Sequence, residues 1–226
     1  MSRPRTGQRE RIARATGHLF RHKGYHGTSM ADIGEAVGLR KASLYNHLST
    51  KHDMLRELVE RGAALFTDGM APIVASSAPA VDRLGRAMRM HLRVVADHPD
   101  VAIVFLQEWR QLEEEARLRV CQSRDRYEAA WRSIIADGVR EGRFRPDLDI
   151  RFAALTLLSA ANWAYQWYDP QGPLTSDQVA DRFVALALNG MAYDEGKQAS
   201  VRPAASSGQD PGSDNFEVAA VRRDIP

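Results

Sequence analysis

The stretch Thr28 to Lys51, T-S-M-A-D-I-G-E-A-V-G-L-R-K-A-S-L-Y-N-H-L-S-T-K, decides the fold of this chain. It reads as two short helices joined at Gly38. Thr28 is of a type that caps helix N-termini, Met30, Ile33 and Val37 follow at helical spacing, and Gly38 supplies the turn. A second helix starts near Arg40 or Lys41. Its Leu44 and Leu48, four apart, share an inward face and leave Lys41, Ala42, Ser43, Tyr45, Asn46 and His47 for the other faces. This is a helix-turn-helix pattern, and a major groove admits such a second helix. A first-turn Lys or Ser reaches base edges, Ala42 lets the backbone approach a thymine methyl, and Tyr45, His47 and Lys51 are placed for phosphates. The candidate DNA-binding set is Thr28, Arg40, Lys41, Ala42, Ser43, Tyr45, Asn46, His47 and Lys51.

An ordinary helical hairpin would share the spacing, but the charge distribution favours nucleic acid. Residues 1–61 hold twelve Lys or Arg against six Asp or Glu, whereas the whole 226-residue chain has a net charge of only +2. A basic end is therefore joined to a mildly acidic body, which fits a localised phosphate contact and not a coat along DNA. An apolar fraction of 44% is ample for a buried core. The single cysteine, Cys121, has no internal disulfide partner and no neighbour for a zinc knuckle, which fits the reducing cytoplasm. The N-terminus has no apolar signal-peptide core, and the uncharged run from Phe152 to Tyr168 is too short and too polar to span a bilayer comfortably.

Helical periodicity continues through the chain, with no competing strand pattern and no internal repeat. A first amphipathic helix is expected over about Arg9 to Lys23, ended by Gly24, and a long one from Lys51 to about Met70. Pro72, Pro79 and the Ser-Ala stretch between them mark a boundary over 71–79. Further helices are expected from Val81, from Pro99 through Trp109, from about Glu115 to Glu141, from Asp149, and from Thr175 or Ser176 to Met191. The fold class is all-α: a helix-turn-helix domain over 1–50, a connecting helix over 51–70, a ligand-binding and dimerisation domain over 71–195, and a disordered Ser-, Pro- and Gly-rich tail over 196–226.

With that motif in front of an all-helical body, the sequence resembles the tetracycline-repressor (TetR) family of bacterial regulators. The run G-Y-H-G-T-S-M-A-D-I-G-E-A-V-G-L-R-K-A-S-L-Y-N-H-L-S-T-K-H-D-M-L carries the match. It departs at Leu48, where the family usually has Phe, and at Arg40, where a capping Ser is common. The stretch A-A-N-W-A-Y-Q-W-Y-D-P-Q-G-P-L-T resembles the subgroup of fatty-acid and sterol-catabolism regulators that respond to acyl-CoA thioesters. The resemblance implies a homodimer on a pseudo-palindromic double-stranded operator, an effector cavity in the body, and a dimer interface from the last two helices with Phe183, Leu186 and Met191 among its contacts.

For the hydrophobic effector, an acyl-CoA in this reading, the candidate residues are Trp109, Tyr127, Trp131, Asn162, Trp163 and Gln166. Pockets combine aromatic walls with few polar anchors, although any one of these aromatics is equally a core residue. Glu108 beside Trp109 is the residue that would suit a lipophilic cation instead, as in a drug-responsive efflux regulator. Arg117, Arg119, Arg124 and Arg126 are read as a solvated, salt-bridged face. No cofactor is expected. His18, His22 and His26 recur at four-residue spacing, but Gly24 interrupts them and no acidic or Cys ligand completes a metal set. Neither a phosphate loop nor G-x-S-x-G is present, so an enzyme is disfavoured. A ligand-independent architectural DNA protein is the remaining alternative.

Overall fold

The computed structural model describes residues 4–46 and 50–191, all in helices, turns and short connections. The expected tail, His47 and Leu48 lie outside the described residues. The head is built from α1 (Pro4–Lys23), α2 (Met30–Ala36) and α3 (Lys41–Tyr45). Helix α1 begins earlier than its periodicity indicates, and Gly24 with φ +72° ends it. Ser29, not Thr28, caps α2: Ser29 is extended and accepts from Asp32 N, while the Asp32 carboxylate accepts from Ser29 N. Thr28 instead turns inward and donates to Gly24 O at 2.9 Å. Gly38 with φ +68° supplies the turn, and Arg40 starts α3 without a side-chain cap. Ile12, Ala13, Ile33, Val37, Leu44 and Met54 form the head's small core.

Helix α4 (Lys51–Val74) starts at Thr50, whose hydroxyl accepts from Asp53 N. It runs through Pro72, past the expected break. A proline in the last turn removes only one bond of the helical ladder, and burying Met70 and Ile73 in the body keeps that turn helical. One face of α4 feeds three cores: Met54 in the head, Leu55, Leu58, Val59, Ala63 and Phe66 in the middle, and Met70 and Ile73 in the body. At Gly62 the helix lies so close to α6 that a Cβ would stand 2.4 Å from the Cβ of Phe105.

The body follows as α5 (Ala80–Asp97), α6 (Pro99–Gln107), a 3-10 turn over Glu108–Gln111, α7 (Glu114–Arg140), α8 (Ile150–Trp163), a second 3-10 turn over Ala164–Gln166, and α9 (Ser176–Met191). Trp109 thus lies on the 3-10 turn and not on α6. The caps at Asp149 and Thr175 are those the sequence indicates, each accepting from a backbone N–H three residues on. Helix α9 is held to α5 by apolar contacts and by two ion pairs, Arg89 with Asp181 and Arg93 with Asp177. No helix among the described residues is long and apolar enough to cross a membrane.

A charged side chain, Arg83 of α5, is buried in the body. It donates from Nε to Ala78 O at 3.0 Å and pairs through Nη2 with Asp137 at 2.7 Å and Glu141 at 3.5 Å. Glu141 in turn accepts from Ala80 N at 2.9 Å, so the start of α5 and the end of α7 are tied by one guanidinium. Burial alone would raise the Asp137 carboxyl, but hydrogen bonds from Arg83 and Arg140 outweigh it and hold it below the usual range. That contribution to stability is complete above the unfolded value of about 3.9 and is lost as pH falls through the lower folded one. Replacing Arg83 with Ala removes the guanidinium that the two carboxylates share and leaves Asp137 with Arg140 alone, and we expect a loss of about 1.5–3 kcal/mol in denaturant unfolding at neutral pH.

Candidate DNA-reading head and aromatic interior

On α3, Leu44 is buried and the face opposite it is open: Tyr45 is 47% exposed, Asn46 and Arg40 are exposed, and Ser43 is half-buried. Lys41 and Ala42 lie on the same short helix, at its first turn. Two members of the expected set are placed elsewhere. Thr28 is 2% exposed with its hydroxyl bonded inward, so it faces the protein. Lys51 also turns inward. Its Nζ donates to Tyr25 O and Thr28 O, both at 2.7 Å, and stands 4.1 Å from the centroid of the Tyr25 ring. The ammonium closes the turn between α1 and α2 against α4, and its charge is spent on carbonyls and a π face, not on phosphate.

Tyr25 is the hub of the junction between head and body. Its ring packs edge-on against Phe20, and burial raises its phenol. Its N–H donates to Glu108 Oε1 at 3.0 Å. The carboxylate named as a possible counter-ion for a cationic effector is therefore committed to the head. Around it, His26 Nε2 meets Gln111 Oε1 at 2.8 Å, Arg21 reaches Asp100 at 3.4 Å, and His52 lies 3.7 Å from Glu113. His18 stacks on His22 and faces Asp100, so the three spaced histidines do not converge. Sequence reasoning misses this junction because the partners of Arg21, Tyr25 and His26 lie 79 to 85 residues away.

Inside the body, rings from four helices meet. Phe66 of α4 lies 4.8 Å from His91 of α5, 5.5 Å from Phe105 of α6 and 5.6 Å from Tyr127 of α7; Trp131 of α7 stands 6.4 Å from both His91 and Tyr127. Such tilted and edge-on arrangements are the favourable ones for aromatic pairs. The Tyr127 hydroxyl is 3.0 Å from His91 Nδ1. Burial pushes the His91 imidazole down to about 3 and the Tyr127 phenol up. Trp109 is buried nearby with Phe105, and the Arg124 guanidinium lies over both rings at 5.3 and 5.4 Å, so Arg124 is not on the solvated face expected for it. Arg119 is on that face, paired with Glu115 at 2.7 Å.

The structure brings Trp109, Tyr127 and Trp131 into this interior but not the other three candidates. Asn162 is half-buried at the end of α8, Trp163 is 53% exposed, and Gln166 is exposed. The cause is local. Helix α8 stops at Trp163 and the next residues tighten into a 3-10 turn, which breaks the four-residue register that would have stacked Asn162 on Gln166. His91 is the interior residue the sequence reading misses, although it lies on the stripe of Leu84, Met88, Leu92 and Val95 that marks the buried face of α5.

Comparison with known proteins places both parts. Residues 12–58 match the model described as bacterial regulatory proteins, tetR family, and residues 77–191 match that of the tetracyclin repressor-like C-terminal domain. The chain is 29% identical over 194 residues to the HTH-type transcriptional repressor KstR2 of Rhodococcus jostii, covering 83% of this chain and 93% of that one. Among solved structures, the TetR family transcriptional regulator PfmR of Thermus thermophilus superposes with a TM-score of 0.73 at 32% identity, over 79% of this chain and 97% of PfmR. AibR, solved in complex with isovaleryl coenzyme A and operator DNA, superposes with a TM-score of 0.71 at 29% identity, over 79% of this chain and 97% of AibR.

The placement of Lys51 gives a test that separates its two roles. Lys51→Met is expected to lower stability by about 1.5–3 kcal/mol, the range for hydrogen bonds to a charged group. The slope of log Kd against log salt for DNA binding should stay that of the wild type, because no phosphate contact is removed. Thermal unfolding and a salt series on duplex DNA measure the two.

Proposed function

We propose, for a chain that belongs to the TetR family of bacterial regulatory proteins, that it is a homodimeric, ligand-responsive transcriptional repressor released from its operator by an acyl-CoA thioester. The observation that carries this reading is the sharing of α4. Its first turn holds the head through Lys51, and its middle places Phe66 at the centre of the aromatic interior. A molecule inserted among those rings must displace α4 relative to α5, α6 and α7, and Glu108 ties the same region to Tyr25. In a dimer reading two half-sites one helical turn apart, about 34–36 Å, a shift of a few Å at each head ends simultaneous engagement. DNA reading falls to Arg40, Lys41, Ala42, Ser43, Tyr45, Asn46 and His47, with Thr28 and Lys51 as supports of that surface.

The acyl-CoA assignment draws on two supports. AibR, similar over four-fifths of this chain, binds isovaleryl coenzyme A. Among the described residues no buried carboxylate faces the aromatic interior, the buried charged or polar side chains being Thr16, Thr28, Arg83 and His91. An apolar acyl group suits that interior, whereas a permanent cation would lack a counter-charge. Titration of the DNA complex with acyl-CoAs of several chain lengths and with lipophilic cations is expected to release DNA with the thioesters alone. Release by the cations alone would favour the efflux regulator.

Dimerisation is proposed through α8 and α9. Phe152 and Leu155 on α8 and Leu186 on α9, 73% exposed, offer apolar area that the protomer leaves uncovered, and Trp163 extends it. Phe183 is half-covered by an edge contact with Trp167. Exposed apolar area of this kind marks an interface, and Met191 closes the same helix. Leu186→Glu is expected to give a monomer in sedimentation and to weaken binding to a two-half-site operator by about 100-fold or more, since simultaneous engagement is lost.

A further inference from the structure

The aromatic interior contains a polar atom that the fold leaves without a partner. His91 is 1% exposed, and its Nε2 makes no hydrogen bond. The ring is neutral at ordinary pH, because burial holds it far below the usual histidine range, so it carries a single N–H. Which nitrogen bears that proton follows from Tyr127, whose hydroxyl is 3.0 Å from Nδ1. Were Nδ1 the donor, both the tyrosine proton and the Nε2 lone pair would be buried without partners. With Tyr127 donating to Nδ1, only the Nε2–H remains. Each unpaired buried polar group carries its uncompensated desolvation cost, so the arrangement with one orphan is the stable one. Trp131, 6.4 Å from both rings, has a donor-only indole whose Nε1 closes no hydrogen bond, so it offers the tyrosine proton no acceptor. The tyrosine proton is thereby directed at His91.

We infer that His91 Nε2–H is the recognition donor for a carbonyl oxygen carried into the body by the effector. The inference rests on the reading above that an acyl thioester enters this interior, and it adds what the interior selects for. A hydrocarbon leaves the donor unpaired. A cation meets a donor where it needs an acceptor. A hydroxyl brings its own proton, for which no buried carboxylate is present among the described residues. A carbonyl supplies acceptor capacity alone. The carbonyl is that of the thioester or an oxo group along the acyl chain. Because the His91 ring lies 4.8 Å from Phe66, an oxygen seated at Nε2 adjoins α4, the helix that carries the head.

Two pairs of probes distinguish the sources. Decanoyl-CoA against S-decyl-CoA, a thioether, removes the thioester carbonyl; 9-oxodecanoyl-CoA against decanoyl-CoA adds one to the chain. Calorimetric affinities for the full chain are expected to favour the carbonyl member of one pair by about 10-fold, the factor that corresponds to about 1.4 kcal/mol. In His91→Phe the ratio should fall to near one. In Tyr127→Phe, which frees the imidazole proton to move to Nδ1, it should fall several-fold without loss of folded protein. As a readout independent of substitution, the His91 Nε2–H resonance of 15N-histidine-labelled wild type should shift with the favoured probe and not with its carbonyl-free counterpart. Tight binding with no preference within either pair, a preference unchanged in His91→Phe, or an unmoved resonance overturns the inference while leaving the acyl-thioester reading intact. Failure of all three probes to bind or to release DNA overturns both.

Discussion

Helix α4 is the constraint on which the rest of the structure depends. Its 24 residues extend about 36 Å and present one continuous buried face to three separate cores. Dense packing lets such a helix act as a rigid rod, because interiors of low compressibility transmit strain. The head's core has six buried members among the described residues, and Met54 of α4 is one of them. Head, middle and body thus share α4 as a common wall of three cores. This explains why the junction is built from a few directional contacts. Lys51 on two carbonyls and Glu108 on one N–H fix the orientation of the head, while the apolar face of α4 supplies the bulk of the stability.

Much of this is readable from the order of residues, and the failures share a cause. Periodicity locates the helices because each buries a stripe, as at Leu84, Met88, Leu92 and Val95, and Asp149 and Thr175 are recognisable caps because capping is a local event. Ser29 and Thr28 are chemically equivalent as caps, and the choice between them depends on a backbone angle and on the Thr28 hydroxyl finding Gly24 O. Lys51 reads as a phosphate ligand because a lysine after a recognition helix usually faces outward. Its inward turn depends on two carbonyls 23 and 26 residues away.

The interior is legible by composition but not by membership. Tyr127 and Trp131 of α7 meet ring to ring and Trp109 is buried nearby on its 3-10 turn, whereas Trp163, equally aromatic, ends a helix whose outer side is open. A helix with apolar residues on two sides does not declare which side serves the core and which a partner. His91 illustrates the opposite ambiguity. A single histidine on an apolar stripe reads as filler, and its distinctive property, a ring nitrogen left over after Tyr127 has taken the other, exists only once α5 and α7 are packed.

The glycine at the crossing of α4 and α6 bears on mechanical compliance. Side chains between helices behave as cushions: they change rotamer and take up part of any relative movement. At Gly62 there is no cushion, and the backbone of α4 rests against Phe105. Movement of α6 therefore reaches α4 without slack at this point, whereas at Gly69 the flexible thioether of Met90 fills the corresponding space. The contact is stiff at one crossing and yielding two turns away, so α4 has a fulcrum near its middle, with its C-terminal end carried by the body core through Met70 and Ile73. A rod held in that way rotates more readily than it slides, which turns a small local displacement in the body into a larger one at the far end, where the head is attached.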